Sequence, residues 1–104
     1  MNDESITVFI GNTDIYEWVM GAGKEILMPK LLSATIDLIN NDLETKLGAR
    51  VKVIEDGKRI SFDFVVRKEN IDDTLDKIMN WALEVENYEM CSEIKKIQDK
   101  LYTF

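Results

Sequence analysis

The chain has 104 residues, a hydrophobic content of 45% and a formal net charge of −7, which indicate one globular domain spanning 1–104. It contains no histidine and a single cysteine, Cys91, which excludes histidine-based nucleophile systems, an internal disulfide and a thiolate zinc site. No apolar run approaches the roughly 18 residues of a membrane span, and the acidic start Met-Asn-Asp-Glu differs from a secretory signal. We therefore expect a soluble, cytoplasmic protein with no membrane partner.

The first predicted element is a strand at 5–10, where β-branched and aromatic residues alternate. Residues 15–28 leave two interpretations open. Aromatic and β-branched residues bracketed by glycines favour two short strands, whereas Asp14 is a good cap for a short helix. Of these, we expect strands.

An amphipathic helix is predicted at 29–47. Pro29 suits the first helical position, and Gly48 suits the residue after the last. Between them, apolar residues recur at spacings of three and four, which is the period of one helical face. These residues are Leu32, Ile36, Ile39, Leu43 and Leu47.

The clearest local signal is a β-hairpin at 50–67. Two runs of alternating apolar and polar residues flank Asp56-Gly57, a favoured two-residue hairpin turn. The alternation predicts one face toward the core and one mostly polar face.

Two helices follow, forming a helical hairpin at 71–103. One apolar stripe runs from Ile71 to Val85 and a second from Met90 to Phe104, and their spacing does not join them. The break is predicted near Asn87. The whole pattern predicts an α+β fold in which a small antiparallel sheet, including strand 5–10 and hairpin 50–67, carries the helix and the helical hairpin on one face.

Residues 82–95 resemble the UVR motif of the UvrB and UvrC repair proteins. That motif has an alanine and a glutamate ahead of an aromatic-Glu pair, then two small residues, an aliphatic residue and a basic residue. The matching positions are Ala82, Glu84, Tyr88, Glu89, Cys91, Ser92, Ile94 and Lys95. Lys96 and Gln98 stand where the motif continues with Asp and Ile. The resemblance implies a helical protein-contact module and no excision chemistry.

No catalytic, metal-binding or cofactor-binding residue is predicted, so we do not expect an enzyme. Asp72, Asp73 and Asp76 lack the spacing of a calcium loop and suit the start of a helix. Residues 21–24 (Gly-Ala-Gly-Lys) resemble a phosphate loop, but Trp18 and Glu25 stand where that loop needs glycine and a hydroxyl residue.

Charge is divided along the chain. Residues 49–68 hold six basic and three acidic side chains, whereas the chain as a whole holds 13 basic and 20 acidic ones. The acidic excess argues against direct nucleic-acid binding and favours a protein partner with a basic surface.

These observations predict a non-catalytic protein-interaction module, a small acidic regulator or inhibitor. A specific form is a phage-encoded or mobile-element-encoded inhibitor whose acidic face imitates nucleic acid. The alternative is a homo-oligomeric structural or assembly protein that uses the C-terminal stripe ending in Leu101, Tyr102 and Phe104. The predicted partner-binding residues are Trp81, Glu84, Tyr88, Glu89, Glu93, Arg50, Lys52 and Arg67.

Overall fold

The chain forms three strands and four α-helices within residues 7–102, the part that the computed structural model describes. In order these are β1 (Thr7–Gly11), α1 (Ile15–Met20), α2 (Lys24–Asn40), β2 (Thr45–Glu55), β3 (Lys58–Arg67), α3 (Ile71–Glu84) and α4 (Tyr88–Tyr102). A 3-10 turn, Lys68–Asn70, leads into α3. The predicted α+β class is confirmed, while residues 1–6 and 103–104, which include the start of the predicted strand 5–10 and the end of the predicted hairpin 71–103, lie outside the described part.

The sheet has the strand order β1-β2-β3 and is mixed. β2 and β3 are antiparallel, but β1 runs parallel to β2, pairing Val8 with Val51. The prediction of a wholly antiparallel sheet is therefore wrong for β1. The reason is the connection: α1 and α2 return the chain to the end of the sheet where β1 began, as parallel pairing requires.

The predicted hairpin is confirmed, and its turn has the expected backbone. Asp56 and Gly57 both have positive φ, 52° and 74°, as in the mirror-image turns that match strand twist. β2 begins earlier than predicted and contains an irregularity between Leu47 and Ala49. A Cβ at Gly48 would lie 2.8 Å from the Leu31 side chain, so the glycine allows α2 to approach the strand.

Helix α2 occupies different residues from the predicted 29–47. It begins at Lys24, so Pro29 lies inside the helix instead of at its first position. It ends at Asn40 because Asp42 adopts left-handed backbone (φ 49°) and the Leu43 N–H bonds to the Leu38 carbonyl at 2.9 Å. Leu43 and Leu47 continue the apolar spacing but belong to the connection and to β2.

Residues 15–20 form helix α1, so the preferred prediction of strands is wrong and the helical alternative is confirmed. The Asp14 carboxylate accepts hydrogen bonds from the N–H groups of Tyr16 (2.9 Å) and Glu17 (3.3 Å), which caps the helix. The capped turn also places Trp18 in the core against Leu27 and Val51.

Helix α2 is the middle layer of the fold. On one side Leu27, Ala34 and Leu38 pack toward the sheet. On the other side Leu32 packs with residues of α3 and α4, including Ile78 and Ile94. The C-terminal hairpin therefore lies on the predicted side of the sheet, but it covers mainly α2, while Ile71 at the start of α3 packs with the cluster that contains Val66 of β3.

The helical hairpin breaks where predicted. The Asn87 carboxamide oxygen accepts a hydrogen bond from the Met90 N–H at 3.1 Å, which caps α4. Asn70 suits a cap for α3 by residue type and stands at that position, but its side chain makes no capping hydrogen bond there.

Candidate interaction surfaces

The predicted contact residues fall on two separate surfaces. Trp81 and Glu84 lie at the end of α3, and Tyr88, Glu89 and Glu93 lie at the start of α4. Arg50 and Lys52 lie in β2 and Arg67 ends β3. Since α2 lies between the hairpin and the sheet, the structure does not bring these two groups together.

The first surface is a cleft between the start of α2 and the turn that joins α3 to α4. Of the five predicted residues at the hairpin, Trp81 lines the cleft and the other four lie outside its lining. It has a volume of about 800 Å³. We call it the acidic cleft and define it by its lining residues, which are Gly21, Ala22, Glu25, Pro29, Trp81, Val85, Glu86 and Asn87. The lining includes two carboxylates and no basic side chain, together with the half-buried indole of Trp81 and the exposed side chain of Val85.

Glu86 adopts left-handed backbone in this cleft, with φ 56°. The helix-ending turn around it is well bonded: the Asn87 N–H donates to the Ala82 carbonyl at 2.8 Å and the Glu86 N–H to the Leu83 carbonyl at 3.2 Å. Glycine is the common residue at such a position because it has no Cβ to strain. The chain instead has a carboxylate there.

The surroundings of the acidic cleft add negative charge and apolar area. From Glu84 to Glu93 the chain carries four glutamates and no basic residue. Tyr88 is 64% exposed, and Leu83 is also exposed. Aromatic and aliphatic groups beside unopposed carboxylates suit a ligand that has both apolar and basic groups.

The second surface is the side of the sheet that faces away from α2. We call it the open sheet face. It consists of alternate residues of the three strands, which are Phe9, Arg50, Lys52, Ile54, Arg59, Ser61, Asp63, Val65 and Arg67. The cross-strand register places Phe9 beside Lys52 and Lys52 beside Ser61.

Charges on the open sheet face are only partly compensated. Arg50 Nε donates to Asp63 Oδ1 at 2.9 Å, and this hydrogen bond holds the pKa of the Asp63 carboxyl below its ordinary value. The Lys52 ammonium lies 5.5 Å from the centroid of the Phe9 ring, within cation–π distance. Within residues 7–102, no ion pair involves Lys52, Arg59 or Arg67.

The sequence patterns missed several residues of both surfaces. Glu25, Pro29 and Glu86 belong to the acidic cleft only because α2 packs against the α3–α4 hairpin, which no local pattern predicts. Phe9 and Arg59 carried a usable signal, since both lie at outward positions of alternating strands.

The carboxylates that were considered as metal ligands do not form such a group. Asp72 and Asp73 lie in the first turn of α3, where negative charge is favourable. In the described part of the chain, no three acidic, histidine or cysteine side chains are arranged to hold a metal ion. Cys91 is a free, partly buried thiol. None of the helices in residues 7–102 has the length and apolar content needed to cross a bilayer.

The described part of the C-terminal stripe, the predicted surface for a second copy, packs against the rest of the chain. Ile94 is fully buried, and Met90, Ile97 and Leu101 pack around it with residues of α2 and α3. The Tyr102 side chain and Phe104 lie outside the described residues, so the use of this stripe by a second copy stays a prediction. Comparison of the chain with protein-family models, with curated proteins and with solved structures found no match. The resemblance of residues 82–95 to the UVR motif stays a prediction.

Proposed function

We propose that the protein is a non-catalytic interaction module whose acidic cleft binds a basic, partly apolar segment of a partner protein. The observation that carries the proposal is the combination of Trp81 with Glu25 and Glu86 in one open cleft that lacks a basic side chain. An arginine or lysine stem packs against an aromatic ring while its charge meets a carboxylate. A partner side chain of that kind matches the cleft in shape and in charge.

Such a module acts by occupying its partner's surface. If that surface normally holds nucleic acid, the module is an inhibitor that imitates a polyanion, as in small phage-encoded or mobile-element-encoded proteins. The glutamates from Glu84 to Glu93 support this form, and competition with duplex DNA for the isolated partner tests it. The single cysteine supports a cytoplasmic location.

Glu86 allows a test in which stability and binding change in opposite directions. Left-handed backbone costs a residue with a Cβ about 1–2 kcal/mol. Glycine avoids this cost but loses more conformational entropy on folding, so Glu86→Gly is expected to stabilise the fold by a net amount of about 0.5–1 kcal/mol. The same substitution removes a carboxylate from the cleft. Binding of an amphipathic Arg/Leu peptide is therefore expected to weaken by roughly two- to fivefold.

The measurement is a heteronuclear NMR titration that follows the two tryptophan indole N–H signals. The Trp81 signal is expected to move with peptide more than the signal of Trp18, which is buried but whose carbonyl accepts a hydrogen bond from Gly21 of the cleft lining. Glu86→Gln separates charge from backbone strain, and Glu55→Gln makes the same charge change in the β2–β3 hairpin, away from the cleft. If Glu55→Gln weakens binding as much as Glu86→Gln, the attraction is diffuse and the cleft is not the site.

A further inference from the structure

Within residues 7–102, no layer covers the open sheet face, although it carries apolar groups. Phe9 is 72% exposed, and Ile54 and Val65 are each 42% exposed. Apolar side chains of a sheet normally pack against a second layer, as those on the other face pack against α1 and α2 here. A set of exposed apolar side chains on one flat face is typical of an interaction surface.

The charges of this face indicate what kind of partner fits. Lys52, Arg59 and Arg67 have no carboxylate partner within residues 7–102, and Asp63, the acidic residue of the face, is held by Arg50. A partner that fits this face therefore supplies carboxylates for these basic groups together with apolar groups for Phe9, Ile54 and Val65. This is the reverse of the chemistry that suits the acidic cleft.

The dimensions indicate a helix. Three strands about 4.8 Å apart make a face roughly 10 Å wide, which is close to the diameter of an α-helix. Arg59 and Arg67 lie eight residues apart in β3, a distance of about 26 Å that corresponds to a helix of roughly 17 residues. A depression of about 370 Å³ among Phe9, Lys52, Ile54 and Arg59 is large enough for one apolar side chain.

We propose that the open sheet face binds an acidic amphipathic helix of a partner protein. The apolar stripe of that helix lies over Phe9, Ile54 and Val65, and its flanking carboxylates meet Lys52, Arg59 and Arg67. This surface is independent of the acidic cleft, since the sheet and α2 lie between them. With both surfaces in use, the protein joins a basic partner to an acidic one.

The test uses a designed peptide of about 17 residues with leucines at helical spacing and glutamates on both flanks, and a scrambled peptide of the same composition. Amide NMR signals of β1, β2 and β3 at the open sheet face are expected to shift with the first peptide only. The double charge reversal Lys52→Glu with Arg59→Glu is expected to weaken binding about tenfold or more. The matched control is Lys77→Glu with Lys100→Glu, which makes the same charge change on exposed positions of α3 and α4.

Any one of four results would overturn the proposal. The first two are that the designed peptide produces no shifts on the face and that the scrambled peptide binds equally well. The third is that an oligothymidine of about 20 nucleotides shifts the same amides and displaces the peptide, which would identify a nucleic-acid surface instead. The fourth is that sedimentation shows a dimer that the double charge reversal dissociates, which would identify a second copy as the occupant. Because these readouts are on the sheet, they leave the Glu86 experiment at the cleft unaffected.

Discussion

At the scale of single residues, the positions with left-handed backbone show which residue types the backbone explains and which it does not. Three non-glycine residues in the described part have positive φ: Asp42, Asp56 and Glu86. Aspartate tolerates this backbone because its short side chain bonds locally, but glutamate has no such advantage. Asp42 and Asp56 therefore suit their turns, whereas the glutamate at 86 is the residue whose identity the backbone does not explain.

Asp42 leads to a prediction about pH. Lys68 Nζ donates to Asp42 Oδ1 at 2.7 Å, and this hydrogen bond lowers the pKa of Asp42 below its ordinary 3.8 and raises that of Lys68 above 10.5. A carboxyl whose pKa is lower in the folded state than in the unfolded state stabilises the fold at pH values above its unfolded-state pKa. This contribution is lost as the pH falls through its folded-state pKa. We expect Asp42→Asn to lower the urea midpoint at neutral pH. The difference from the parent protein should shrink below about pH 4.

The matching control is Asp56→Asn, which changes another exposed left-handed aspartate. Asn keeps the tolerance for this backbone, so both substitutions remove charge alone. No ion pair within residues 7–102 involves Asp56. A pH-independent loss in Asp42→Asn, or an equal loss in Asp56→Asn, would mean that the Lys68 contact does not stabilise the fold. A carbon-detected titration of the Asp42 carboxyl measures its pKa directly.

At the scale of elements, the sequence predicted the turns, but it did not predict where α2 ends and β2 begins. The β2–β3 turn follows from Asp56-Gly57 inside the turn itself, and the break at Asn87 follows from the gap between the two apolar stripes that flank it. The end of α2 does not, because Leu43 and Leu47 maintain a helical apolar spacing although β2 begins at Thr45. The stop signal is Asn41-Asp42, which ends the helix through left-handed backbone without a glycine.

Helix α1 shows why a short segment is ambiguous. Its six residues are mostly aromatic or β-branched, which favours strands by propensity. Two local facts decide for the helix: the Asp14 cap and the burial of Trp18 among core residues. Likewise, the parallel pairing of β1 depends on where α1 and α2 return the chain, which strand composition does not encode.

The corner between α1 and α2 leads to a prediction about Gly23. Its backbone is ordinary helical backbone, φ −66° and ψ −22°, so alanine would not be strained there. A Cβ would nevertheless lie 2.5 Å from the Trp18 ring and from the Trp18 carbonyl oxygen. We expect Gly23→Ala to reduce the free energy of unfolding by about 1–3 kcal/mol, because Trp18 must move within the core. Urea unfolding followed by circular dichroism measures the loss.

Gly21→Ala is the control, two residues earlier in the same corner. Its Cβ would lie 3.2 Å from the Glu17 carbonyl oxygen, a mild contact with no core side chain involved. The Gly21 backbone, φ −126° and ψ −112°, is neither helical nor extended, so this substitution tests the backbone of the corner and not the space beside Trp18. The Trp18 indole N–H signal is therefore expected to shift more in Gly23→Ala than in Gly21→Ala, and an equal shift in both would contradict the prediction.

At the scale of the whole molecule, α2 determines which surfaces are free. Its two apolar sides are covered by the sheet and by the α3–α4 hairpin, so the faces left to solvent are the outer side of the sheet and the outer part of the hairpin. The charge division along the chain follows this layering: basic residues of β2 and β3 lie on one side and the glutamates of the α3–α4 turn on the other. The sequence predicted the two charged groups, but their separation by α2 required the structure.

This layering predicts that the two surfaces act independently. The acidic cleft lies on the hairpin side of α2 and the open sheet face lies beyond the sheet. Since a helix alone is about 10 Å across, these layers are thicker than the Debye length of about 8 Å at physiological salt. We therefore expect Lys52→Glu with Arg59→Glu to change binding of the Arg/Leu peptide at the cleft by less than about twofold. Glu86→Gln should likewise leave binding of the acidic peptide at the sheet within the same range. Calorimetric titration of each variant with each peptide measures both effects.

Strong coupling at physiological salt would mean that one peptide binds both surfaces or that the layers rearrange on binding. If the coupling appears only at low salt, it reflects the long-range field of a protein with net charge −7.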